Sequence, residues 1–218
     1  ELTVDPSPVT VTVSTLATNN NRPTLTGMVD VAGGSVAGVS VEVAGQTIAA
    51  TVSGGQWTAT VPVALTDGVY DVQAMATDLD GNSNNDLTTD ELTVDTVEPT
   101  VTVTTLTTSN DRPELSGTVG DDAPSSGIAG VTVMVGGQML TATVDGNFWN
   151  VTVPESLADG MHDVQVTATD NADNLSGDST VDELVVDTSA PVVTVDTLNT
   201  TNRKPVLSGA VSDPLPGS

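Results

Sequence analysis

Residues 91–119 read ELTVDTVEPTVTVTTLTTSNDRPELSGTV, and this stretch returns twice with small changes. The other copies begin at Glu1 and at Glu183, so the offsets along the chain are 90 and 92 residues. Recurrence at a fixed interval indicates an array of like modules. About 90 residues are enough for each module to bury a core of its own.

Later landmarks recur 92 residues apart, including Trp57 and Trp149, and the segments DVQAMATD from Asp71 and DVQVTATD from Asp163. The repeat predicts modules over residues 1–95 and 96–187, followed by an incomplete third module over 188–218. The third carries strands A and B only, so we expect it to be poorly packed or extended. The chain starts at Glu1 without a leader sequence, and we expect it to be an internal part of a longer protein.

Within each module, apolar residues alternate with polar ones, as in VTVTV from Val9 and VTVMV from Val131. A period of two, interrupted by Gly-containing turns, indicates strands with one solvent-exposed face. We therefore predict an all-β fold of tandem immunoglobulin-like antiparallel β-sandwiches, about seven strands each, joined end to end. The strands predicted in the second module are A (99–106), B (113–119), C (130–136), D (139–145), E (148–153), F (162–169) and G (179–187).

The composition is strongly acidic, with 29 Asp and Glu against 4 Lys and Arg and a net charge of −25 at pH 7. We expect no nucleic-acid partner and no membrane partner, because nucleic acids and anionic membrane surfaces both attract proteins through Lys and Arg. The chain has no cysteine, which excludes disulfides, thiolate nucleophiles and zinc–thiolate sites. We expect a monomer whose partners are the neighbouring modules of the same chain.

Short motifs accompany the repeat: VDTVEP (94–99), the TNxRP-like segment TSNDRP (108–113), LSG (115–117), ADG (158–160) and ATDNADN (168–174). Over essentially the whole chain they resemble the bacterial immunoglobulin-like tandem repeats of large RTX-type, type I-secreted, calcium-dependent surface adhesins. The resemblance implies a secreted protein at the bacterial cell surface. It also implies a non-catalytic extender region that projects a ligand-binding tip for cell adhesion or biofilm formation.

The predicted topology sorts the loops between the two poles of each sandwich. The A–B and E–F loops and the end of strand G share the C-terminal pole, and the B–C and F–G loops share the N-terminal pole. Where module one meets module two, the acidic and amide residues on the first side are Asn20, Asn21, Asp67 and Asp95. Those on the second side are Asp121, Asp122, Asp170, Asp173 and Asn174.

Ionised carboxylates gathered at one junction would repel one another unless a hard divalent cation lay among them. Ca²⁺ accepts six to eight oxygen ligands of these types and tolerates irregular geometry. We therefore expect Ca²⁺ as the cofactor, stiffening the junction. Candidate ligands at the C-terminal pole of module two are Asp111, Asp159 and Asp187, and those at other repeat-related positions are Asp5, Asp30, Asp78 and Asp213.

These aspartates admit two other interpretations. Asp78, Asp80 and Asn82 have the spacing of an EF-hand loop, but Ser83 stands where that loop requires Gly and Thr89 where it requires a bidentate Glu, so the motif is rejected. For any single Asp, the alternative is ordinary turn chemistry, in which the carboxylate accepts nearby backbone N–H groups.

The basic residues share one place in the repeat. Arg22, Arg112 and Lys204 each precede a proline, and Arg203 lies beside the last of them. We predict that Arg22 and Arg112 pair with carboxylates at the C-terminal pole of their own modules, such as Asp95 and Asp187. The alternative is a solvated side chain.

No catalytic residue is predicted. The single histidine, His162, aligns with Tyr70 after the E–F turn, where sandwiches often place a tyrosine that fixes the corner. Trp57 and Trp149 begin strand E and are predicted to anchor the core. The leading hypothesis is a non-catalytic extender. The alternative is a module whose loops bind a glycan or a protein, and an enzyme comes third.

Overall fold

The computed structural model describes residues 9–32 and 34–213. Asp5, one of the candidate ligands, lies outside this range. The regular structure found here consists of β-strands, which confirms the all-β prediction. Within these residues, no helix is long and apolar enough to cross a membrane.

The first repeat folds into three sheets. Its strands are β1 (Val9–Val13), β2 (Leu16–Thr18), β3 (Thr24–Val31), β4 (Val36–Val43), β5 (Gln46–Ala49), β6 (Thr51–Ser53), β7 (Gln56–Thr60), β8 (Gly68–Tyr70), β9 (Val72–Asp78), β10 (Ser83–Asn85) and β11 (Leu92–Val94). The strand orders are β1-β3-β7-β6, β10-β9-β4-β5 and β2-β11-β8.

The second repeat has the same plan. Its strands are β12 (Thr100–Val101), β13 (Leu106–Thr108), β14 (Glu114–Gly120), β15 (Ile128–Val135), β16 (Gln138–Thr141), β17 (Thr143–Asp145), β18 (Phe148–Thr152), β19 (Gly160–His162), β20 (Val164–Asp170), β21 (Leu175–Gly177) and β22 (Leu184–Val186). The strand orders are β12-β14-β18-β17, β16-β15-β20-β21 and β13-β22-β19.

The third stretch contains one antiparallel hairpin, β23 (Val192–Val195) with β24 (Gly209–Ser212). All eight strand residues are exposed to solvent. The chain divides into two compact units, one comprising the residues up to Pro99 with Asp121–Ala129 and Thr169–Leu175. The other comprises Thr100–Gly120, Gly130–Ala168 and the residues from Ser176 onward.

The alternation of the sequence forms the core. Along β3, every second residue is buried, and residues from all three sheets of the first repeat join one hydrophobic cluster. Trp57 and Trp149 are fully buried, which confirms that they anchor the core. Each indole Nε1 donates a hydrogen bond to a main-chain carbonyl, Trp57 to Thr12 O in β1 (3.0 Å) and Trp149 to Thr102 O directly after β12 (2.9 Å).

Several predicted strands need correction. Strand A is not continuous: β12 and β13 belong to different sheets, and β13 pairs parallel to β22, as β2 does to β11. The cause is visible in the spacing, since Val103 and Leu106 are three residues apart and the break in the period of two lets the chain change sheets. The other described pairings of the two repeats that have a stated direction are antiparallel.

Strands D, F and G also differ from their predicted limits. Strand D divides into β16 and β17, which pair with β15 and β18 on different sheets. Residues 160–162 form the separate strand β19, paired with β22, so His162 precedes strand F instead of opening it. Strand G is short, because β22 begins only at Leu184.

Candidate metal centre

Three strand ends bring carboxylates together. Asp95 follows β11, Asp121 follows β14, and Asp170 is the last residue of β20. One oxygen from each lies within 4.8 Å of the others. Asp95 and Asp170 are buried, and Asp121 is half-buried. We call this set the acidic cluster, and all three residues belong to the first compact unit.

Asp170 is fixed by the turn that it opens. Its Oδ1 accepts hydrogen bonds from the N–H groups of Ala172 and Asn174, both at 2.8 Å, and its Oδ2 accepts one from Asn174 Nδ2 at 2.7 Å. Asn174 Nδ2 also donates to the backbone oxygen of Asp95 at 2.8 Å. This is the Asx chemistry that favours Asp and Asn in turns, and it joins Asp170 to Asp95.

Asp95 is held from two sides. Its Oδ1 accepts the N–H of Val97 at 3.1 Å, and its Oδ2 accepts the N–H of Ser126 at 2.7 Å. Ser126 lies in the loop that follows β14, so this contact ties the residue after β11 to that loop.

Asp121 has the least satisfied carboxylate of the cluster. Its Oδ2 accepts the N–H of Gly127 at 2.8 Å, whereas its Oδ1 is buried and has no hydrogen-bond partner. Burial raises the pKa of the Asp121 carboxyl, and the charges of Asp95 and Asp170 raise it further, against the opposing effects of the Gly127 N–H and the Ser125 side chain. A buried oxygen without a partner, beside two other carboxylates, is an environment that a cation would relieve.

The other candidates for this junction are placed differently. Asp122 and Asp173 are exposed, and Asn20 accepts the N–H of Arg22 at 3.0 Å. Asp67 accepts the Thr96 hydroxyl at 3.1 and 3.0 Å. Asn174 contacts the acidic cluster, because its Nδ2 donates to Asp170 Oδ2 and to the backbone oxygen of Asp95.

The candidates elsewhere are not in the acidic cluster. Asp159 accepts the Thr188 N–H (3.0 Å), the Thr188 hydroxyl (2.8 Å) and the Ser189 hydroxyl (3.0 Å), and these bonds, in that order of importance, lower its pKa. Asp187 accepts the N–H of Ser189 at 3.1 Å. Asp111 is half-buried, and Asp30 and Asp213 are exposed.

Asp78 is the counterpart of Asp170 in the first repeat. Its Oδ1 accepts the N–H groups of Asp80 (3.0 Å) and Asn82 (2.8 Å), and its Oδ2 accepts Asn82 Nδ2 at 2.8 Å. The Asn82 side chain is the main cause of its lowered pKa, burial opposes it, and the backbone N–H groups of the turn add to the lowering. The two turns are therefore alike. Among the described residues, only Asp170 has two further carboxylates beside it, those of Asp95 and Asp121, and Asp5, the counterpart of Asp95 in the first repeat, lies outside the described range.

Two residues near the cluster were missed in the sequence. Asn19 donates its backbone N–H to Ala172 O at 3.1 Å and its Nδ2 to Asp173 O at 3.4 Å. Ser126 donates to Asp95, and its Oγ accepts the N–H of Ala172 at 3.1 Å. The available signal was the longer loop GDDAPSSG in the second copy, which supplies Ser126.

The predicted ion pairs of Arg22 and Arg112 are wrong for the residues described here. Arg112 donates from Nε to Ser156 Oγ at 3.2 Å. For Arg22, the described hydrogen bond is made by its main-chain N–H, which donates to Asn20 Oδ1 at 3.0 Å.

The corner role of the Tyr70 position is confirmed. The Tyr70 hydroxyl donates to Thr66 O at 2.7 Å, and His162 Nε2 lies 2.8 Å from Ala158 O at the equivalent place. His162 therefore takes the structural place of the tyrosine, and the contact ties down the turn before β19.

The fold is that of tandem immunoglobulin-like β-sandwiches, and the acidic cluster lies within the first compact unit. The family model described as bacterial Ig-like domain matches residues 10–96 and 101–188. These two matches cover more than half of the sequence, and the chain belongs to this family of bacterial Ig-like domains.

Solved structures that are similar to this chain come from different proteins. The fibronectin(III)-like modules of Clostridium thermocellum CbhA are 17% identical over 81% of this chain and 94% of that chain, with a TM-score of 0.54, which shows a shared fold. A tetra-tandem repeat from the extending region of a large adhesion protein is 27% identical over 94% of this chain and 56% of that chain, with a TM-score of 0.36. No curated protein matches this chain significantly.

Proposed function

We propose that the chain is a non-catalytic extender segment of a secreted bacterial surface adhesin, stiffened by Ca²⁺ bound at the acidic cluster. Tandem bacterial Ig-like domains support a spacer role, since repetition of a sandwich adds length without requiring a catalytic site. The observation that carries the calcium part is Asp121 Oδ1, which is buried and unpartnered beside Asp95 and Asp170.

The donor set suits calcium. Ca²⁺–oxygen distances are about 2.3–2.6 Å, so two ligands on opposite sides of one ion are about 5 Å apart. The oxygens of Asp95, Asp121 and Asp170 lie within 4.8 Å of one another, which is compatible with a shared ion. Three carboxylates without sulfur or nitrogen ligands favour a hard cation.

Calcium at the acidic cluster would act on the connection between the repeats. Asp95 belongs to the segment between β11 and β12, whereas Asp121 and Asp170 belong to loops that follow β14 and end β20. An ion bound by all three would cross-link that segment to both loops and restrict its bending. Extracellular modules bind Ca²⁺ with dissociation constants of about 10⁻⁴ to 10⁻³ M, so the site would fill outside the cell and stay empty in the cytosol.

A pair of matched variants tests calcium binding. Asp170→Asn and Asp78→Asn alter turns with the same internal hydrogen bonds, but only Asp170 belongs to the acidic cluster. By calorimetric titration, the wild-type chain and Asp78→Asn should bind Ca²⁺ alike, and Asp170→Asn should lose the heat of at least one site. Equal binding by all three proteins would refute the assignment.

Small-angle scattering tests the stiffening separately. The wild-type chain should scatter as a longer and less flexible particle in excess Ca²⁺ than in EDTA, and Asp170→Asn should not respond. An unchanged maximum dimension would reject the stiffening even if calcium binds. The alternative of a glycan-binding module gains no support from the two tryptophans, because both are fully buried.

A further inference from the structure

Two loops of the second repeat belong to the first compact unit. They are the loop that follows β14 (Asp121–Ala129) and the turn that joins β20 to β21 (Thr169–Leu175), and the rest of this unit consists of the residues up to Pro99. The boundary between the compact units therefore does not follow the boundary between the repeats. We call these two stretches the docking loops.

Two residues of the first repeat bind the docking loops. Asn19 donates its main-chain N–H to Ala172 O at 3.1 Å. Asp95 accepts the Ser126 N–H at its Oδ2 (2.7 Å) and Asn174 Nδ2 at its main-chain oxygen (2.8 Å). Each of these hydrogen bonds joins two protein groups directly, so the contact requires no ion.

Ala172 lies where the contacts of the docking loops converge. Its N–H donates to Asp170 Oδ1 at 2.8 Å and to Ser126 Oγ at 3.1 Å, while its carbonyl accepts the N–H of Asn19. The residue is only 1% exposed. With both main-chain groups bonded and almost no surface in contact with water, this position suits a small apolar side chain.

The two repeats differ at the positions that make this contact. Ala172 aligns with Asp80, although the ATD before it and the Asn two residues after it are shared. Ser126 comes from the longer loop GDDAPSSG of the second copy. A carboxylate in place of the Ala172 methyl group would be buried close to the carboxylate of Asp170, which would repel it. The contact therefore depends on features that belong to the second repeat and not to the shared motif.

We propose that the docking loops are an interaction surface that recognises the end of the preceding repeat without a metal, and that Ala172 determines which repeats can be neighbours. The partner that fits is a repeat with a main-chain N–H directly after its second strand, as Asn19 provides after β2, and an aspartate directly after its last strand, as Asp95 provides after β11. A repeat that carries an acidic residue in place of Ala172 does not fit behind such a partner. The inference does not depend on calcium.

Hydrogen exchange of the full chain in EDTA, followed residue by residue by NMR, tests this contact. The amides of Asn19 and Ser126 should exchange much more slowly than unprotected amides, because each donates across the contact. Ala172→Asp should raise both exchange rates at least about tenfold, since the new carboxylate resists burial. The amides of Val61 and Val153, which donate to main-chain carbonyls at 3.0 and 2.9 Å, should stay protected and show that both repeats remain folded.

Two further variants make the test specific. Leu175→Asp adds the same charge three residues further along, at a side chain that is 57% exposed, and should leave the exchange rates of Asn19 and Ser126 unchanged. Ala172→Leu adds bulk without charge and should raise both rates, as overpacking of a buried position does.

Fast exchange of the Asn19 and Ser126 amides in the wild-type chain in EDTA would overturn the proposal. The same conclusion would follow if Ala172→Asp exchanged no faster than Leu175→Asp. Protection that develops only after Ca²⁺ is added would mean that the metal, and not the docking loops, makes the contact. Slow exchange in EDTA without any heat of calcium binding would support this inference and refute the proposed calcium site.

Discussion

Among the residues of the acidic cluster, Asp121 has the most costly charge. Its pKa is raised, first by burial and then by Asp95 and Asp170, so the folded state holds its proton more tightly than the unfolded chain does. Without a cation, its contribution to stability is therefore greatest below its unfolded pKa of about 3.9. That contribution falls as pH rises through the folded pKa.

This gives a prediction for Asp121→Asn. In EDTA at pH 7, the variant should melt at a higher temperature than the wild-type chain, because it removes a buried, repelled charge. The advantage should shrink as the pH is lowered through the raised pKa of Asp121, because the wild-type carboxyl then becomes protonated itself. In Ca²⁺ the order should reverse, because the variant lacks a ligand. Thermal melts at several pH values in both buffers measure all three effects.

Asp122→Asn is the matched control, since this neighbour is exposed and its loss removes the same formal charge. It should leave both melting curves nearly unchanged. If Asp122→Asn and Asp121→Asn behave alike in EDTA, the effect comes from net charge and not from the acidic cluster.

A second prediction concerns the corner residue Tyr70. Tyr70→Phe removes the hydroxyl that donates to Thr66 O, and should lower the free energy of unfolding by about 0.5–1.5 kcal/mol. Tyr70→His should retain part of this stability, because His162 reaches the equivalent carbonyl of Ala158 in the second repeat. Urea denaturation monitored by circular dichroism measures both. A small loss in Tyr70→Phe and a larger one in Tyr70→His would show that the ring packing, and not the hydrogen bond, fixes the corner.

Part of the candidate site could be predicted from the sequence. Asp95, Asp121 and Asp170 were in the predicted set because the repeat and the sandwich topology place their loops at one junction. The full list of candidate metal ligands could not be reduced to these three from the sequence, because Asp78 and Asp170 share the ATDxxxN motif and the same turn hydrogen bonds. In the part of the chain that the structure describes, Asp170 differs from Asp78 in its tertiary neighbours Asp95 and Asp121, and a repeat motif carries no information about such neighbours.

At the level of the strands, the glycine that pairs with a tryptophan leaves no room for a side chain. Gly117 pairs with Trp149 across β14 and β18, and a side chain at Gly117 would meet both the Thr102 carbonyl and the indole. The LSG motif therefore has a packing reason as well as a place in the repeat. Gly130, on β15, has no atom within 4 Å of the position where a Cβ would lie.

These two glycines form a matched pair for mutation. Gly117→Ala should lower the free energy of unfolding by about 1–3 kcal/mol or more, because backbone and indole must move to admit the methyl group. Gly130→Ala should be neutral or slightly stabilising, since the methyl group meets open space and alanine reduces the freedom of the unfolded chain. Denaturant unfolding followed by tryptophan fluorescence compares them. A similar cost at both sites would mean that the close approach of Gly117 to the Thr102 carbonyl and the Trp149 indole does not cause the loss of stability.

The strands themselves were predictable to different degrees. Strands B, C and E keep a regular alternation, and β14, β15 and β18 lie close to their predicted limits. Strands A and D change sheets part of the way along, at Thr104–Thr105 and near Ala142. A local pattern shows that a residue is extended, but the sheet that it joins depends on which neighbours offer hydrogen bonds, as when Leu106 N donates to Glu183 O at 2.7 Å.

Over the whole molecule, the dominant physical property is the net charge of −25 at pH 7. Self-repulsion of this size destabilises compact states, and added salt screens it over a Debye length of about 10 Å at 0.1 M. A divalent ion could therefore stabilise the chain in two ways, by general screening or by occupation of the acidic cluster. Screening requires a high concentration of any salt, whereas occupation of the acidic cluster requires a low concentration of a suitable divalent ion.

The final prediction separates them by melting temperature. Starting in EDTA, NaCl should raise the melting temperature gradually over hundreds of millimolar, as screening requires. CaCl₂ should do so at a few millimolar and reach about 1.4 kcal/mol of stabilisation at ten times the dissociation constant. MgCl₂ at the same concentration should do less, because Mg²⁺ demands octahedral geometry at shorter distances and gives up its water reluctantly. Asp170→Asn should lose the calcium response and keep the sodium response. Equal responses to Ca²⁺, Mg²⁺ and NaCl of matched ionic strength would assign the stabilisation to screening alone and remove the metal from the mechanism.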